Sequence, residues 1–91
     1  MNKSELVEAL AQESNIPSQD AYGIINTIVD TMAETLVKGD NIEIRGFGTF
    51  KVKKYTSYIG RDPKTGEPIQ VRPKKLPIFK VGKELAIRVN R

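Results

Sequence analysis

The chain has 91 residues, with 15 Lys and Arg against 11 Asp and Glu, and it contains neither cysteine nor histidine. Those absences exclude disulfides, Cys/His zinc sites, a thiol nucleophile and the commonest general base. A single core in a body this small supplies only about 3–5 kcal/mol, so with no staple available the chain is expected to associate as a dimer.

Asn2, followed three residues later by Glu5, predicts an N-cap with a capping-box partner. Leu6, Val7, Leu10 and Ala11 give the following helix one apolar face, which ends near Ser14-Asn15. Pro17-Ser18 opens a second helix with Ser18 as its cap. Ala21, Ile24, Ile25, Ile28, Val29, Met32 and Leu36 recur there at intervals of three and four, the clearest periodicity in the chain. Its polar side carries Asp20, Asn26, Asp30 and Glu34, which anionic lipid would repel. The pattern therefore reads as a helix pair closing one side of a core. Gly39 suits the C-cap, and Lys38 complements the helix dipole. No signal peptide is evident, and polar residues interrupt Ile24 to Val37, so no spanning segment is expected. The lack of cysteine suits a cytoplasmic protein.

Ile42 and Ile44 begin a strand that Gly46-Phe47-Gly48 turns back. Alternation holds at Phe50 and Val52 and fails at Lys54, where a buried strand would need another apolar residue. From there to Pro73 the chain still reads as strand, with a tip at Gly60-Arg61-Asp62-Pro63-Lys64-Thr65-Gly66. The result is a hairpin without a core of its own. About eight residues per leg at ~3.3 Å each would reach roughly 25 Å. Leu76 to Phe79 return to the body, where Phe47, Phe50 and Phe79 read as core rings ahead of base-stacking ones. Gly82 precedes a short last helix bearing Leu85 and Val89. Lys83, in its first turn, reads either as an ordinary exposed lysine or as a phosphate contact.

Charge is divided along the chain. Residues 1–41 hold two lysines against seven acids, a net of −5, whereas residues 42–91 hold thirteen basic residues against four acids, a net of +9. A second half so basic, carrying a coreless ribbon, points to a polyanion and above all to nucleic acid. Enzymatic fingerprints are missing: Lys51 stands where a dinucleotide loop needs its third glycine, and no Walker-type phosphate loop occurs. The chain is therefore expected to be non-enzymatic, with no cofactor, metal or small-molecule substrate.

Three motifs, Gly46-Phe47-Gly48-x-Phe50, Gly60-Arg61-x-Pro63-x-Thr65-Gly66 and Pro77-x-Phe79-Lys80-x-Gly82-Lys83, resemble those of the HU and integration host factor family of bacterial DNA-bending proteins. The resemblance runs from Met1-Asn2-Lys3-Ser4-Glu5-Leu6 to Lys83-Glu84-Leu85. It implies an α+β fold: a helical base of two helices, a three-stranded antiparallel sheet extended into a β-ribbon arm, and a short C-terminal helix, in an intertwined dimer. One domain, 1–91, would divide into a dimerisation base (1–40), a saddle sheet (41–54 and 74–81), a DNA-binding arm (55–73) and a terminal helix (82–91). Phe47, Phe50, Phe79, Ile28 and Met32 would form the dimer core. Lys3, Arg45, Gly46, Gly48, Lys53, Tyr55, Tyr58, Arg61, Pro63, Lys64, Arg72, Lys74, Lys75 and Lys83 would meet DNA.

Turn formation alone would explain Pro63, but the resemblance makes it a wedge that partly intercalates from the minor groove and kinks the duplex. The implied protein is nucleoid-associated and cytoplasmic, binds double-stranded DNA, and pairs with itself or with a related subunit. Alternatives are a site-selective integration-host-factor-like subunit and a basic module for RNA or acidic proteins. Ile42-Glu43-Ile44-Arg45-Gly46-Phe47-Gly48 looks more like the beta subunit of integration host factor than like HU, and suggests that Glu43 orients Arg45. Asp62 departs from the usual asparagine, and either weakens binding or pairs with Arg61. Tyr55 and Tyr58 stand where HU is frequently basic, which implies a shallower salt dependence.

Overall fold

The computed structural model describes Met1 to Arg91 apart from Ser57 and the side chains of Tyr58 and Val71. The chain runs α1 (Lys3–Ser14), α2 (Ser18–Val37), β1 (Ile42–Ile44), β2 (Gly48–Tyr55), β3 (Tyr58–Arg61), β4 (Pro68–Val71), β5 (Lys74–Val81) and α3 (Lys83–Val89). It divides into two compact units, Met1–Thr35 and Leu36–Arg91. The fold is α+β, with two helices leading, a sheet that continues into an arm, and a short helix at the end.

In the first unit Asn2 caps α1, its side-chain oxygen accepting from the Glu5 N–H at 2.8 Å. Asn15 closes the helix in the left-handed region at φ 53°, and the Ile16 N–H reaches back to the Ala11 carbonyl at 3.0 Å. This is a Schellman-type end, with asparagine in the place glycine usually takes. The start of α2 differs from expectation. The Pro17 carbonyl accepts the first helical bond from the Ala21 N–H at 3.1 Å, which makes Ser18 the first helical residue. The Ser18 hydroxyl instead donates to Glu8 Oε1 at 3.1 Å, tying α2 to α1. Val7, Ala11, Ala21 and Ile25 are buried between the helices, with Leu10 and Ile16 packed against them. That core is small. Ile24, Ile28 and Val29 of the same α2 stripe remain exposed, and Met32 is half-buried.

The second unit is built on one antiparallel ladder. Sheet order is β1-β2-β5, and β3 pairs with β4. Ile44, Arg45, Gly46 and Phe47 form the β1–β2 turn, closed by the Phe47 N–H on the Ile44 carbonyl at 2.9 Å. Gly46 has φ +82°, the sign that the third position of a type II turn requires. Gly48 pairs with Val81, Phe50 with Phe79 and Tyr55 with Lys74; Tyr58 then pairs with Val71 and Arg61 with Pro68. Partner numbers keep one constant sum through both ladders, so the arm continues the body's register without a slip. Phe79 packs on Phe50 and Phe47 with centroids 4.7 and 5.4 Å away, yet Phe79 and Phe47 are 41% and 42% exposed in the single chain. The Gly82 N–H donates to the Phe47 carbonyl at 2.8 Å, fixing the start of α3 against the turn.

Gly48 is held by space. A Cβ there would lie 2.5 Å from Phe79 Cζ and 2.6 Å from the Lys80 carbonyl oxygen. Gly48→Ala is therefore expected to destabilise by about 1–3 kcal/mol, the usual range for overpacking, read as a lowered midpoint in thermal unfolding.

Candidate nucleic-acid interface

Alternation sorts the sheet into two faces. Phe50 and Val52 of β2 share one face with Pro77, Phe79 and Val81 of β5, and Ile42 and Ile44 of β1 join them through their pairing with Phe50 and Gly48. The opposite face carries Lys51 and Lys53 from β2 with Lys74 and Lys80 from β5, all exposed, with Leu76 and Ile78 of β5 opposite Lys53 and Lys51, and Glu43 from β1 is its acid. Lys51 and Lys80 were not among the residues expected to meet DNA. Alternation counted outward from Phe50 and Phe79 would have found them. Lys75 sits opposite Lys54 on the face of Val52 and Pro77, so of the two lysines at the arm's exit only Lys74 shares the basic side.

Beyond Tyr55 and Lys74 the ladder has little left to bury. Ile59 and Ile69 are exposed, and so are Arg61, Pro63 and Lys64. A tight turn closes the tip: the Asp62 N–H donates to Glu67 O at 2.8 Å, and the Gly66 N–H to Asp62 O at 2.7 Å. Asp62 Oδ1 also accepts the Lys64 N–H at 2.8 Å, an Asx-type bond that folds the backbone around Pro63. Arg61 leans on the Gly66 carbonyl at 3.5 Å rather than on the Asp62 carboxylate. Pro63 is thereby left exposed at the apex of a ribbon, between Asp62 and Lys64, with Arg61 two residues before it.

Other expected residues are placed separately. Lys3 donates to Asn26 Oδ1 and lies 4.8 Å from the centroid of the Tyr22 ring, held by neutral partners. Arg45 is exposed in the turn, beside Gly46, and the side-chain hydrogen bonds of the described residues join neither it nor Glu43 to the other. The Glu84 carboxylate approaches the turn instead: a Cβ on Gly46 would meet Oε2 at 2.6 Å. Lys83 is exposed as the first residue of α3, and Arg72 is exposed between β4 and β5. The side chain of Tyr58 lies outside the described residues. Among the described residues no group of three acids, cysteines or histidines could hold a metal ion, and no helix is long and apolar enough to cross a membrane.

Known proteins resemble the chain along nearly its whole length. The family model described as bacterial DNA-binding protein matches residues 1–90. The chain is 48% identical to integration host factor subunit beta of Pseudoalteromonas atlantica, over 99% of this chain and 95% of that one. It is 41% identical to DNA-binding protein HU-1 of Halalkalibacterium halodurans, over 93% and 94% of the respective chains. Among solved structures, Anabaena HU in a cocrystal with DNA superposes with TM-score 0.86 at 31% identity, covering 98% of this chain and 97% of that one.

Asp62→Asn keeps an oxygen for the Lys64 N–H while removing one negative charge from the tip. One unit charge about 8 Å from a phosphate in water is worth roughly 0.5 kcal/mol. The variant is expected to unfold at the wild-type temperature and to bind duplex DNA about twofold more tightly at low salt, read by fluorescence anisotropy.

Proposed function

The chain belongs to the bacterial DNA-binding protein family, and on that premise we propose that it is an architectural subunit that bends duplex DNA as a dimer, and not an enzyme. The observation that carries this reading is the arm's tip, where Pro63 stands exposed at the end of an in-register ribbon between Arg61 and Lys64. A rigid apolar ring at such an apex suits insertion between base pairs. Arg61 suits the negative potential of a narrow minor groove. Unstacking costs a few kcal/mol per step and is offset by the contacts that bent DNA makes with the rest of the protein. Lys51, Lys53, Lys74 and Lys80 supply such contacts along the sheet, and Lys3, Arg45, Arg72 and Lys83 add phosphate contacts at the flanks. Recognition is then mostly electrostatic and through DNA deformability, and the protein works at the nucleoid.

Dimerisation is supported by what one chain leaves uncovered. Among the described residues no large side chain is fully buried, while Ile24, Ile28, Val29, Phe47, Phe79 and Val81 are exposed. In a second subunit's presence these would become core. Two arms, one from each subunit, then approach the duplex.

Relatives that are named as beta subunits of integration host factor favour a second reading, in which the partner is a related but different chain and binding is site-selective. Light scattering separates the two: a stable dimer of this chain alone favours self-pairing, and a monomer that dimerises only with a related subunit favours the second reading.

Competition among double-stranded DNA, RNA and polyglutamate at equal charge tests the DNA-bending function against a general basic module. Preference for the duplex is expected, and equal competition by all three would overturn it. Pro63→Ala is expected to reduce bending, measured by ring closure of short DNA, far more than it reduces affinity. Equal bending by the variant would remove the wedge.

A further inference from the structure

The body's ladder ends on one rung, Tyr55 with Lys74. Lys53 precedes Tyr55 by two residues on the same strand and Lys74 lies directly opposite, so all three side chains share a face. Their geometry is specific. The Lys53 and Lys74 ammonium groups lie 5.3 and 5.7 Å from the centroid of the Tyr55 ring, both within the range over which a ring face attracts a cation. The sum of those distances, 11.0 Å, is the upper limit on the separation of the two nitrogens. Tyr55 is half-buried, whereas both lysines are exposed.

A ring face attracts each cation without neutralising it, so two like charges remain around one ring, no more than 11.0 Å apart. An anion placed there relieves their repulsion. The ring has also already restricted two long side chains, which lowers the ordering cost of binding. Because the lysines come from different strands, the pair spans both legs of the ribbon where the sheet gives way to the arm.

We propose that Tyr55 is a positioning residue that holds Lys53 and Lys74 as a two-ammonium clamp on the DNA phosphodiester backbone at the root of the arm. This rests on the duplex-binding reading above. It also revises the expectation that an uncharged Tyr55 simply weakens ionic contact: the ring adds no charge, but it organises two.

The test uses the full chain with Tyr55→Phe and Tyr55→Leu. In the free protein, the Lys53 and Lys74 ε-methylene protons should be shifted upfield by the ring in wild type and in Tyr55→Phe, and should lose that shift in Tyr55→Leu. In titrations of a duplex of mixed sequence across a salt series, Tyr55→Phe should match wild type. Tyr55→Leu should bind roughly three- to tenfold more weakly, with the slope of log K against log salt reduced by about 1, the loss of one phosphate contact. Thermal unfolding confirms that each variant is folded, and Tyr55→Met serves the same comparison if the leucine variant is not. Unshifted lysine protons in wild type, or wild-type affinity and slope in Tyr55→Leu, overturn the clamp alone. Failure of the unsubstituted chain to bind duplex DNA would overturn the underlying function as well.

Discussion

One antiparallel register, held from Gly48–Val81 to Arg61–Pro68, is the constraint on which the rest of the second unit depends. Strand alternation converts that register into two different surfaces: Phe50 and Phe79 with Val52, Pro77 and Val81 on one, and Lys51, Lys53, Lys74 and Lys80 around Leu76 and Ile78 on the other. A slip of one residue would exchange the faces, placing Lys51 and Lys53 among the phenylalanine rings. Gly48 and Gly82 protect the arrangement by close approach. The first admits the Phe79 ring and the second lies within 3.3 Å of the Phe47–Gly48 backbone, measured from where a Cβ would stand. Because the same register continues past the body, the arm inherits its direction from the sheet and not from packing of its own.

The apolar surfaces are incomplete within one chain. Small residues, Ala11 and Ala21, make up half of the buried core in the helical unit, while larger residues of α2 stay exposed. In the second unit Phe47 and Phe50 both pack on Phe79, yet Phe47 and Phe79 are not enclosed. Both surfaces are of the kind that a second subunit covers. A small, cysteine-free chain would then obtain from association the stability that its own core does not supply.

Much of this was legible in the sequence because it is local. Asn2 and Glu5 are three residues apart, the α2 stripe repeats within a single helix, and Gly46 occupies a turn whose sign of φ its residue type anticipates. Ser18 was misread because a serine after a proline looks like a cap, and its bond to Glu8 crosses between helices. Lys3 with Asn26, 23 residues away, belongs to the same class of contact. Lys51 and Lys80 lie outside the arm, and only the pairing of β2 with β5 places them on one face with Lys53 and Lys74. At the tip, sequence left Asp62 undecided between repelling phosphate and pairing with Arg61. The structure gives its carboxylate a backbone partner instead, which makes the acid part of what folds the chain around Pro63.

The ribbon's proposed action is to bend the duplex it binds. Energy transfer between dyes at the two ends of a short AT-rich duplex, followed as protein is added at low and moderate salt, tests this most directly. Transfer that rises with binding, as the ends approach, is the predicted result. Saturable binding with unchanged transfer would contradict it, leaving a basic module that grips DNA without reshaping it.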